Sequence, residues 1–521
     1  MHPTEQPRNL WTLVEPSLKK HGDLPAWICR GRKQNRVVSY NEIYDASLTL
    51  AARLRESGVE PGNTVGITAP NSPEWNVAAL AVWKLGANIA PIHIGNSEHD
   101  IQAQVDAVNP HIMLVHETKQ QFANSRPIDM EIDSNLATAE AAQAVPENAG
   151  ETAVRIYTSG STGSPKIVRL SHANHASNVL SAAKLKEFDS NDRFISLLPF
   201  SHAMGLTANL LLPLYAGSAI VTPKVLAASE IIATLEQERI SVLIAVPRLF
   251  RNIMLGLEKK FAAGGPALKA YLWLIRHTPM FLRQHINAPV RKKLGGRIKC
   301  WVSGGSHLDG RICHYFHKLG IPLRQGYGLT ETSPLACVQA EYDTAVESVG
   351  KPIEGVEVRL DNADAEGKGE VLIRGPNVML GYEDEEQNAA AFDGEWFKTG
   401  DIAKIDEAGR VTLTGRSKRL IVTEAGKNVY PEELETLLER NPVIKEAGVF
   451  ELDMKPACLL AVDAEYTEDD VRNALKSFNE LVSGHNQITR FAITEELPRT
   501  PLGKIALQQL PAIFAEKEHQ G

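Results

Sequence analysis

The chain has 521 residues, of which 43% are hydrophobic and 23% charged, and its formal net charge at pH 7 is −8. A chain of this length is too long for one ordinary hydrophobic core, so we expect two or more domains of a soluble globular protein. The acidic balance disfavours a general nucleic-acid binder, which needs clustered positive charge.

The first 330 residues alternate short apolar runs with amphipathic helical patterns, which is typical of crossover units around a parallel sheet. Ser39 and Glu42 form a capping-box pattern, in which both side chains satisfy backbone N–H groups at a helix start. Gly58 and Gly86 mark helix ends. In order, the pattern predicts a helix over 39–58, a strand over 64–69, a helix over 72–86 and a strand over 88–92.

The most apolar stretch, 194–221, is interrupted by Ser, His, Asn, Pro and Gly residues and predicts buried sheet and helix rather than a membrane span. The N-terminus has no basic head followed by an apolar run, so we expect no secretory signal and a cytoplasmic location. The five cysteines are scattered, which favours reduced thiols. Cys313 and His317 lack a CxxC partner, which disfavours a metal site there.

From about residue 335 the pattern changes to short β segments over 356–360, 370–374 and 411–414, divided by glycine-containing turns. We therefore predict a small β unit over 335–415. A compact α/β pattern occupies the chain after Gly415, so we expect a domain boundary near 416–419.

The segment 157–166, Tyr-Thr-Ser-Gly-Ser-Thr-Gly-Ser-Pro-Lys, is the densest run of hydroxyl groups and glycines in the chain. Glycines let the backbone turn its N–H groups towards an anion, the hydroxyls add donors and Lys166 adds positive charge, which suits a triphosphate. A polar surface turn is the alternative. A Walker loop fails on spacing, because two residues separate Gly163 from Lys166 and Ile167 replaces the magnesium-binding hydroxyl.

This loop resembles the phosphate loop of the acyl-adenylate-forming superfamily, which includes acyl-CoA synthetases, peptide-synthetase adenylation domains and beetle luciferases. Other motifs of that family follow in order, so the resemblance covers nearly the whole chain. They are Ser303-Gly304-Gly305, Gly326-Tyr327-Gly328-Leu329-Thr330-Glu331, Thr399-Gly400-Asp401, Gly415-Arg416-Ser417-Lys418, Gly426-Lys427-Asn428-Val429-Tyr430-Pro431-Glu432-Glu433 and Pro501-Leu502-Gly503-Lys504.

The resemblance implies ATP and Mg²⁺ as cofactors. Tyr327 offers an aromatic face to adenine, and such stacking is worth about 1–3 kcal/mol. Thr330 donates to the α-phosphate, Glu331 is the magnesium ligand, and Asp401 with Arg416 binds the ribose hydroxyls. The other residues expected to bind the nucleotide are Thr158, Ser159, Gly160, Ser161, Thr162, Gly163, Lys166, Ser303, Gly304, Gly305, Gly326 and Gly328.

The resemblance also implies a mobile C-terminal part. Lys504 stabilises charge when a carboxylate attacks the α-phosphate, Lys418 is the hinge between two half-reactions, and Gly426 lines the acceptor tunnel. The implied fold class is α/β, with a large N-terminal domain of layered α/β subdomains and a small β-barrel-like unit over 1–417, then a small mobile α+β domain over 418–521. Ile167 replaces a common glycine and predicts altered loop flexibility.

The segment 197–205 resembles the family's acid-pocket segment, where His202 lies near the carboxylate or gates the pocket; a structural role for His202 is equally open. The absence of charge over 194–221 favours a hydrophobic, fatty acid over an amino acid. We expect an AMP-forming acyl-CoA synthetase, most similar to long-chain fatty acid–CoA ligases, with CoA as co-substrate. Loading of a carrier-protein pantetheine, cyclisation of a hydroxy acid and a luciferase-like oxygenase remain alternatives.

Residues 259–299 contain ten Lys or Arg and no Asp or Glu, with aromatic residues between them. In an acidic protein this reversal favours a basic surface for anionic lipid, hence peripheral contact with the inner membrane face, or for the CoA phosphate. A solvated helix face explains the pattern equally well.

Overall fold

The structure, a computed structural model, describes residues 9–115, 127–128, 146, 150–158, 166–262, 278, 287–424, 427–499 and 505–518. The chain forms two compact units, a larger one of residues 1–358 and 373–397 and a smaller one of residues 359–372 and 398–521. The predicted α/β class with a large N-terminal and a small C-terminal part is confirmed. The boundary predicted at 417/418 stays a prediction.

Within the described residues, the first sheet of the larger unit has nine strands, and six neighbouring ones are parallel. Parallel strands covered on both faces read as continuous apolar runs, and all four residues of Val242–Ala245 are buried. In sheet order the strands are Lys351–Pro352, Cys337–Val338, Leu323–Tyr327, Cys300–Ser303, Val242–Ala245, Arg193–Ile195, Ala219–Thr222, Pro25–Cys29 and Arg36–Ser39.

The second sheet of the larger unit has seven described strands, of which the last five in sheet order are parallel. In order they are Gly381–Tyr382, Lys166–Ser171, Thr152–Thr158, Asn88–Pro91, Thr64–Thr68, Ile112–Val115 and Pro127–Ile128. Lys166–Ser171 is antiparallel to both of its neighbours, Gly381–Tyr382 and Thr152–Thr158. This antiparallel end carries the two ends of the glycine-rich loop.

Helices cover the two sheets, and most begin at a capping side chain. Ser39 and Glu42 form the predicted capping box, and Ser171 forms another with Asn174. The α-helices of the larger unit are Leu10–His21, Tyr40–Glu56, Pro73–Lys84, Glu98–Val108, His172–Leu185, Leu212–Ala216, Ala228–Gln237, Pro247–Ala262, Ala288–Lys293, Gly310–Lys318 and Glu385–Ala391, with a π-helix at Gly205–Leu211.

The main core of the larger unit joins helices and both sheets. The helix Pro73–Lys84 is buried on nearly all sides, as a helix packed between layers must be. A second core on the other side of the first sheet is centred on Phe250, Trp301 and Phe316. The strands of the first sheet are therefore packed on both faces.

The smaller unit has its own sheet, in which Lys455–Ala461 pairs with Glu446–Leu452 and with Arg490–Thr494. A hairpin pairs Ile421–Val422 with Asn428–Val429, and Trp396–Ile405 pairs with Val411–Arg416 from Asp401 onward. Its helices are Pro431–Leu438, Glu468–Leu481 and Leu510–Glu518. The remaining strands of the chain are Glu357–Asp361, Gly369–Arg374 and Phe392–Asp393.

The element predictions are confirmed to within a few residues at each end. The predicted strand 64–69 is Thr64–Thr68, and the predicted β segment 411–414 is Val411–Arg416. The apolar stretch 194–221 forms strand, π-helix and helix, and none of the described helices is long and apolar enough to span a bilayer. Cys313 Sγ and His317 Nε2 both hydrogen-bond to the Leu323 carbonyl oxygen, at 3.1 and 2.7 Å.

Candidate active site

The two ends of the glycine-rich loop are fixed by antiparallel strands. Thr158 lies opposite Lys166 in the register, and its hydroxyl donates to the Lys166 carbonyl at 3.4 Å. Lys166 begins a strand, whereas a Walker lysine begins a helix, which agrees with the exclusion of that motif. The predicted loop residues Ser159, Gly160, Ser161, Thr162 and Gly163 lie outside the described residues.

Lys166 and Glu331 meet at Tyr382. The Lys166 ammonium lies 4.2 Å from the centre of the Tyr382 ring, within the range of a cation–π contact. The Tyr382 hydroxyl donates to Glu331 Oε1 at 2.7 Å. Burial, together with this carboxylate, raises the pKa of the Tyr382 phenol well above its usual value, so the phenol stays a donor at neutral pH. Two predicted site residues 165 positions apart thus contact one aromatic ring that the sequence did not indicate.

Glu331 belongs to a tight turn, Leu329–Leu335, which we call the Glu331 turn. It begins with the 3₁₀ helix Thr330–Thr332 and buries carbonyl oxygens that the turn itself does not satisfy. Asn178 Nδ2 and Asn377 Nδ2 each donate to the carbonyl oxygens of both Thr332 and Leu335, at 2.9–3.3 Å. The Leu335 N–H in turn donates to Asn178 Oδ1 at 2.7 Å.

The strand that leads into the Glu331 turn ends at Tyr327, which is buried. Gly328 follows, and a Cβ there would lie 1.8 Å from the Pro334 carbonyl oxygen. Glycine is therefore required because the two limbs of the turn approach each other directly. At Gly326 a Cβ would lie 3.3 Å from Leu335 Cδ1, so that position is tight but not blocked.

Ser303, Gly304 and Gly305 follow the neighbouring parallel strand Cys300–Ser303, whose residue Ser303 pairs with Gln325. The carboxyl ends of parallel strands are a common ligand site. Met204, from the acid-pocket segment, lies against this turn, since its Sδ would be 3.0 Å from a Cβ at Gly304. The structure therefore brings the adenine-edge motif and the acid-pocket segment together.

His202 lies beside a second histidine, His93, with ring centres 5.7 Å apart. The Ser201 hydroxyl is 3.4 Å from His93 Nδ1. Burial lowers the pKa of His93, so this imidazole is neutral at pH 7. The segment is anchored by Asn71, which donates to the Leu198 carbonyl oxygen at 2.7 Å and accepts from the Phe200 N–H at 3.0 Å.

In the smaller unit, Asp401 and Arg416 are opposite residues of an antiparallel pair. Arg416 Nε lies 3.0 Å from Asp401 Oδ1, and the Asp401 side chain is 7% exposed while that of Arg416 is 54% exposed. Lys418 is exposed in a short 3₁₀ helix. Gly426 and Lys504 lie outside the described residues.

Arg419, which follows Lys418, is anchored inside the smaller unit. Its guanidinium contacts Glu432 at 3.0 Å and Glu435 at 2.6 Å, and donates to the Val449 carbonyl oxygen at 2.9 Å. Glu435 also accepts from the Val449 N–H at 2.8 Å. Lys418 is therefore exposed, whereas the next residue is tied to the smaller unit by its ion pairs.

The residues that sequence reasoning missed mostly orient others. Asn178, Tyr382, Asn377 and His93 lie 12 to 64 positions away from the nearest of the motifs named above, and none belongs to a glycine-rich pattern. Amides and imidazoles on a buried helix face are the signal that could have found some of them, since buried polar groups need partners. The helix His172–Leu185 carries four such residues: His172, Asn174, His175 and Asn178.

Comparison with known proteins matches residues 14–383 to the family model described as AMP-binding enzyme. Among curated proteins, the chain is 26% identical over 498 residues to 2-succinylbenzoate–CoA ligase of Bacillus pumilus, covering 92% of this chain and 93% of that protein. It is 29% identical over 477 residues to long-chain-fatty-acid–CoA ligase FadD15 of Mycobacterium bovis, covering 82% of this chain and 77% of that protein.

Two solved structures share the fold. O-succinylbenzoate coenzyme A synthetase from Bacillus subtilis, in complex with ATP and magnesium, has a TM-score of 0.77 at 24% identity and covers 96% of this chain and 99% of that chain. ATP-bound MatB from Rhodopseudomonas palustris has a TM-score of 0.77 at 23% identity, with 98% and 99% covered.

Replacing Gly328 with alanine tests the steric account of the Glu331 turn. The added methyl group would meet the Pro334 carbonyl oxygen, so we expect a loss of about 2 kcal/mol or more in the free energy of unfolding. Gly326→Ala is the matched control, with a smaller expected loss. Chemical denaturation of both variants measures the difference; equal losses would mean that the two limbs of the turn are not in contact.

Proposed function

Since the chain belongs to the AMP-binding enzyme family, we propose that it activates a hydrophobic carboxylic acid as acyl-AMP and then transfers the acyl group to the thiol of CoA. The enzyme is an acid–thiol ligase. The observation that carries the proposal is the meeting of Lys166 and Glu331 on Tyr382, because it joins the phosphate loop to the magnesium residue. A polar surface turn would have no reason to be tied to a distant carboxylate.

The first half-reaction joins the acid to the nucleotide. A carboxylate oxygen attacks the α-phosphorus, the bond to the bridging oxygen breaks and pyrophosphate leaves. Lys166 and the hydroxyls of its loop neutralise the phosphates, Thr330 donates to the α-phosphate, and Lys504 stabilises the developing charge. Tyr327 with Ser303, Gly304 and Gly305 borders the adenine.

Glu331 suits a magnesium ion that is shared with the phosphates. The described residues contain no group of three His, Cys, Asp or Glu side chains that could hold a metal by themselves. Magnesium bound through one carboxylate plus substrate phosphates needs no such group. Glu331 Oε1 accepts a hydrogen bond from Tyr382, which restrains that carboxylate oxygen, and the ion would neutralise phosphate charge.

The second half-reaction uses the smaller unit. The CoA thiolate attacks the acyl carbon, the carbon–oxygen bond breaks and AMP leaves with its oxygen. Asp401 accepts from the ribose hydroxyls, and Arg416 shares that task while holding Asp401. Lys418 is the hinge, which the burial of the Arg419 side chain next to it supports, and Gly426 borders the acceptor tunnel.

The acid is proposed to be a medium- or long-chain fatty acid. The stretch 194–221 carries no charge, and burying an unpaired ammonium there would be costly, which disfavours an amino acid. The neutral His93 beside His202 supplies hydrogen-bonding groups for a carboxylate. Aryl acids are the second candidate, supported by the likeness to 2-succinylbenzoate–CoA ligase and to indoleacetate–CoA ligase of Aromatoleum aromaticum.

Product analysis with a panel of acids tests this function. With ATP, Mg²⁺, CoA and a medium or long fatty acid, we expect AMP, pyrophosphate and acyl-CoA in equal amounts, because each turnover cleaves one α–β phosphate bond. The panel contains short, medium and long fatty acids, aryl acids and amino acids. Release of ADP and phosphate would contradict the adenylation reaction.

Three further arms of the same assay separate the alternatives. Aryl acids turning over faster than every fatty acid would replace the fatty-acid proposal by its second candidate. Acyl transfer to a pantetheine-bearing carrier protein but not to CoA would change the acceptor. Oxygen consumption in step with AMP release would indicate an oxygenase.

Tyr382→Phe and Tyr382→Leu separate the two contacts of this ring. Phenylalanine keeps the ring beside Lys166 but loses the hydroxyl on Glu331, so we expect a rise of about tenfold or more in the Mg²⁺ concentration for half-maximal pyrophosphate release, with KM for ATP little changed. Leucine also removes the cation–π contact and should raise KM for ATP as well.

Tyr40→Phe is the matched control for the Tyr382 variants. Tyr40 is a buried tyrosine whose hydroxyl donates to the Ser218 carbonyl oxygen at 2.8 Å, and its loss should leave both kinetic constants unchanged. If Tyr382→Phe leaves the Mg²⁺ dependence unchanged, Tyr382 does not orient Glu331.

A further inference from the structure

Thr207 lies on the π-helix Gly205–Leu211. Its buried hydroxyl connects this helix to the Glu331 turn and to the helix His172–Leu185. It donates to the Ser333 carbonyl oxygen at 3.0 Å, and it is 2.8 Å from His175 Nδ1. Thr207, Ser333 and His175 are 4%, 0% and 0% exposed, so water does not compete for these bonds.

The direction of both bonds follows from proton counting. A carbonyl oxygen only accepts, so the single hydrogen of the Thr207 hydroxyl is used on Ser333. Thr207 must therefore accept from His175, whose Nδ1 carries the proton. Burial, and the neighbouring His172, lower the pKa of His175 to about 3, so the ring is neutral. The chain of donors runs one way, from His175 through Thr207 to Ser333.

Ser333 is the residue at which the Glu331 turn reverses. Its φ is +64°, in the left-handed region, which an L-residue holds only when its surroundings enforce it. Its N–H closes the 3₁₀ turn on the Thr330 carbonyl oxygen at 3.2 Å. The bond from Thr207 thus fixes the end of the short helix that contains Thr330 and Glu331.

The acid-pocket segment leads directly into the first residues of the π-helix, two positions before Thr207. The Leu206 N–H donates to the His202 carbonyl oxygen at 2.9 Å, and Met204 lies against the turn at Gly304. The backbone hydrogen bonds of a π-helix span one more residue than those of an α-helix, and π-helical turns are often found at functional sites. A change in the backbone around His202 therefore acts directly on the helical turn that carries Thr207.

We propose that Thr207 is a positioning residue that couples the acid-pocket segment to the Glu331 turn, so that the acid and the magnesium nucleotide bind cooperatively. This inference rests on the proposed function, because it takes the acid to bind near His202 and the nucleotide near Glu331. An acid that orders the π-helix also restrains Ser333, because Thr207 donates to the Ser333 carbonyl oxygen. By the same bond, a nucleotide that orders the Glu331 turn also orders the π-helix, since coupling between two sites is reciprocal.

The test measures binding rather than turnover. The acid that reacts fastest in the panel is titrated with and without the Mg²⁺ complex of α,β-methylene-ATP. The coupling is the dissociation constant of the acid without the nucleotide divided by the constant with it. Typical couplings between two sites are about 5- to 150-fold, so the wild-type ratio should exceed about 5. Thr207→Val keeps the shape but removes the hydroxyl, and its ratio should fall close to 1.

Two other variants of Thr207 complete the test. Thr207→Ser keeps the hydroxyl and should restore the ratio. Thr207→Ala leaves room for a water molecule beside Ser333, and it replaces the valine variant if that protein does not fold. Thr234→Val is the matched control. Thr234 is a fully buried threonine on the helix Ala228–Gln237, and its hydroxyl donates to the Glu230 carbonyl oxygen of the same helix at 2.8 Å.

The outcomes are distinct. A wild-type ratio above 5 that Thr207→Val brings close to 1 and Thr234→Val keeps supports the proposal. A wild-type ratio near 1, or a ratio that survives Thr207→Val whether or not the affinities change, overturns it and leaves Thr207 a structural residue. Failure of the wild-type protein to release pyrophosphate with every acid would contradict the proposed function itself, independently of the Thr207 variants.

Discussion

The arrangement of the site depends on how the buried carbonyl oxygens of the Glu331 turn are satisfied. A buried carbonyl without a donor is costly, and a turn this tight leaves those of Thr332 and Leu335 without backbone partners inside the turn. Asn178 and Asn377 supply amide donors to both. Because these two side chains come from a helix and from a separate loop, the turn holds its shape only when three distant segments are folded together.

The same turn brings the rest of the site within reach. Glu331 is presented to Tyr382, whose strand pairs with the strand that Lys166 begins, so the phosphate loop and the carboxylate are positioned by one sheet edge. The helix His172–Leu185 starts at the end of that strand and carries Asn178. Strand, helix and turn therefore form a continuous support, which suits a site that must hold a highly charged nucleotide without rearranging its own dipoles.

The sequence predicted the helices and strands to within a few residues, because local residue patterns encode them. Capping at Ser39 and the strand Thr64–Thr68 follow from residues close in the chain, whereas the pairing of Asp401 with Arg416 was found only in the structure. Tyr382 and Asn377 could not be predicted in this way. Their importance comes from contacts made across 51 and 45 positions, and a single tyrosine or asparagine carries no periodic signal of a long-range bond.

In the proposed reaction a carboxylate oxygen becomes bonded to the α-phosphorus of ATP. The most direct measurement uses the preferred fatty acid labelled with ¹⁸O in both carboxylate oxygens, with mass analysis of the nucleotide after turnover with CoA. Attack on the α-phosphorus and cleavage by the thiol predict AMP that carries one labelled oxygen for each acyl-CoA formed. Unlabelled AMP, or label in inorganic phosphate, would contradict an acyl-adenylate intermediate.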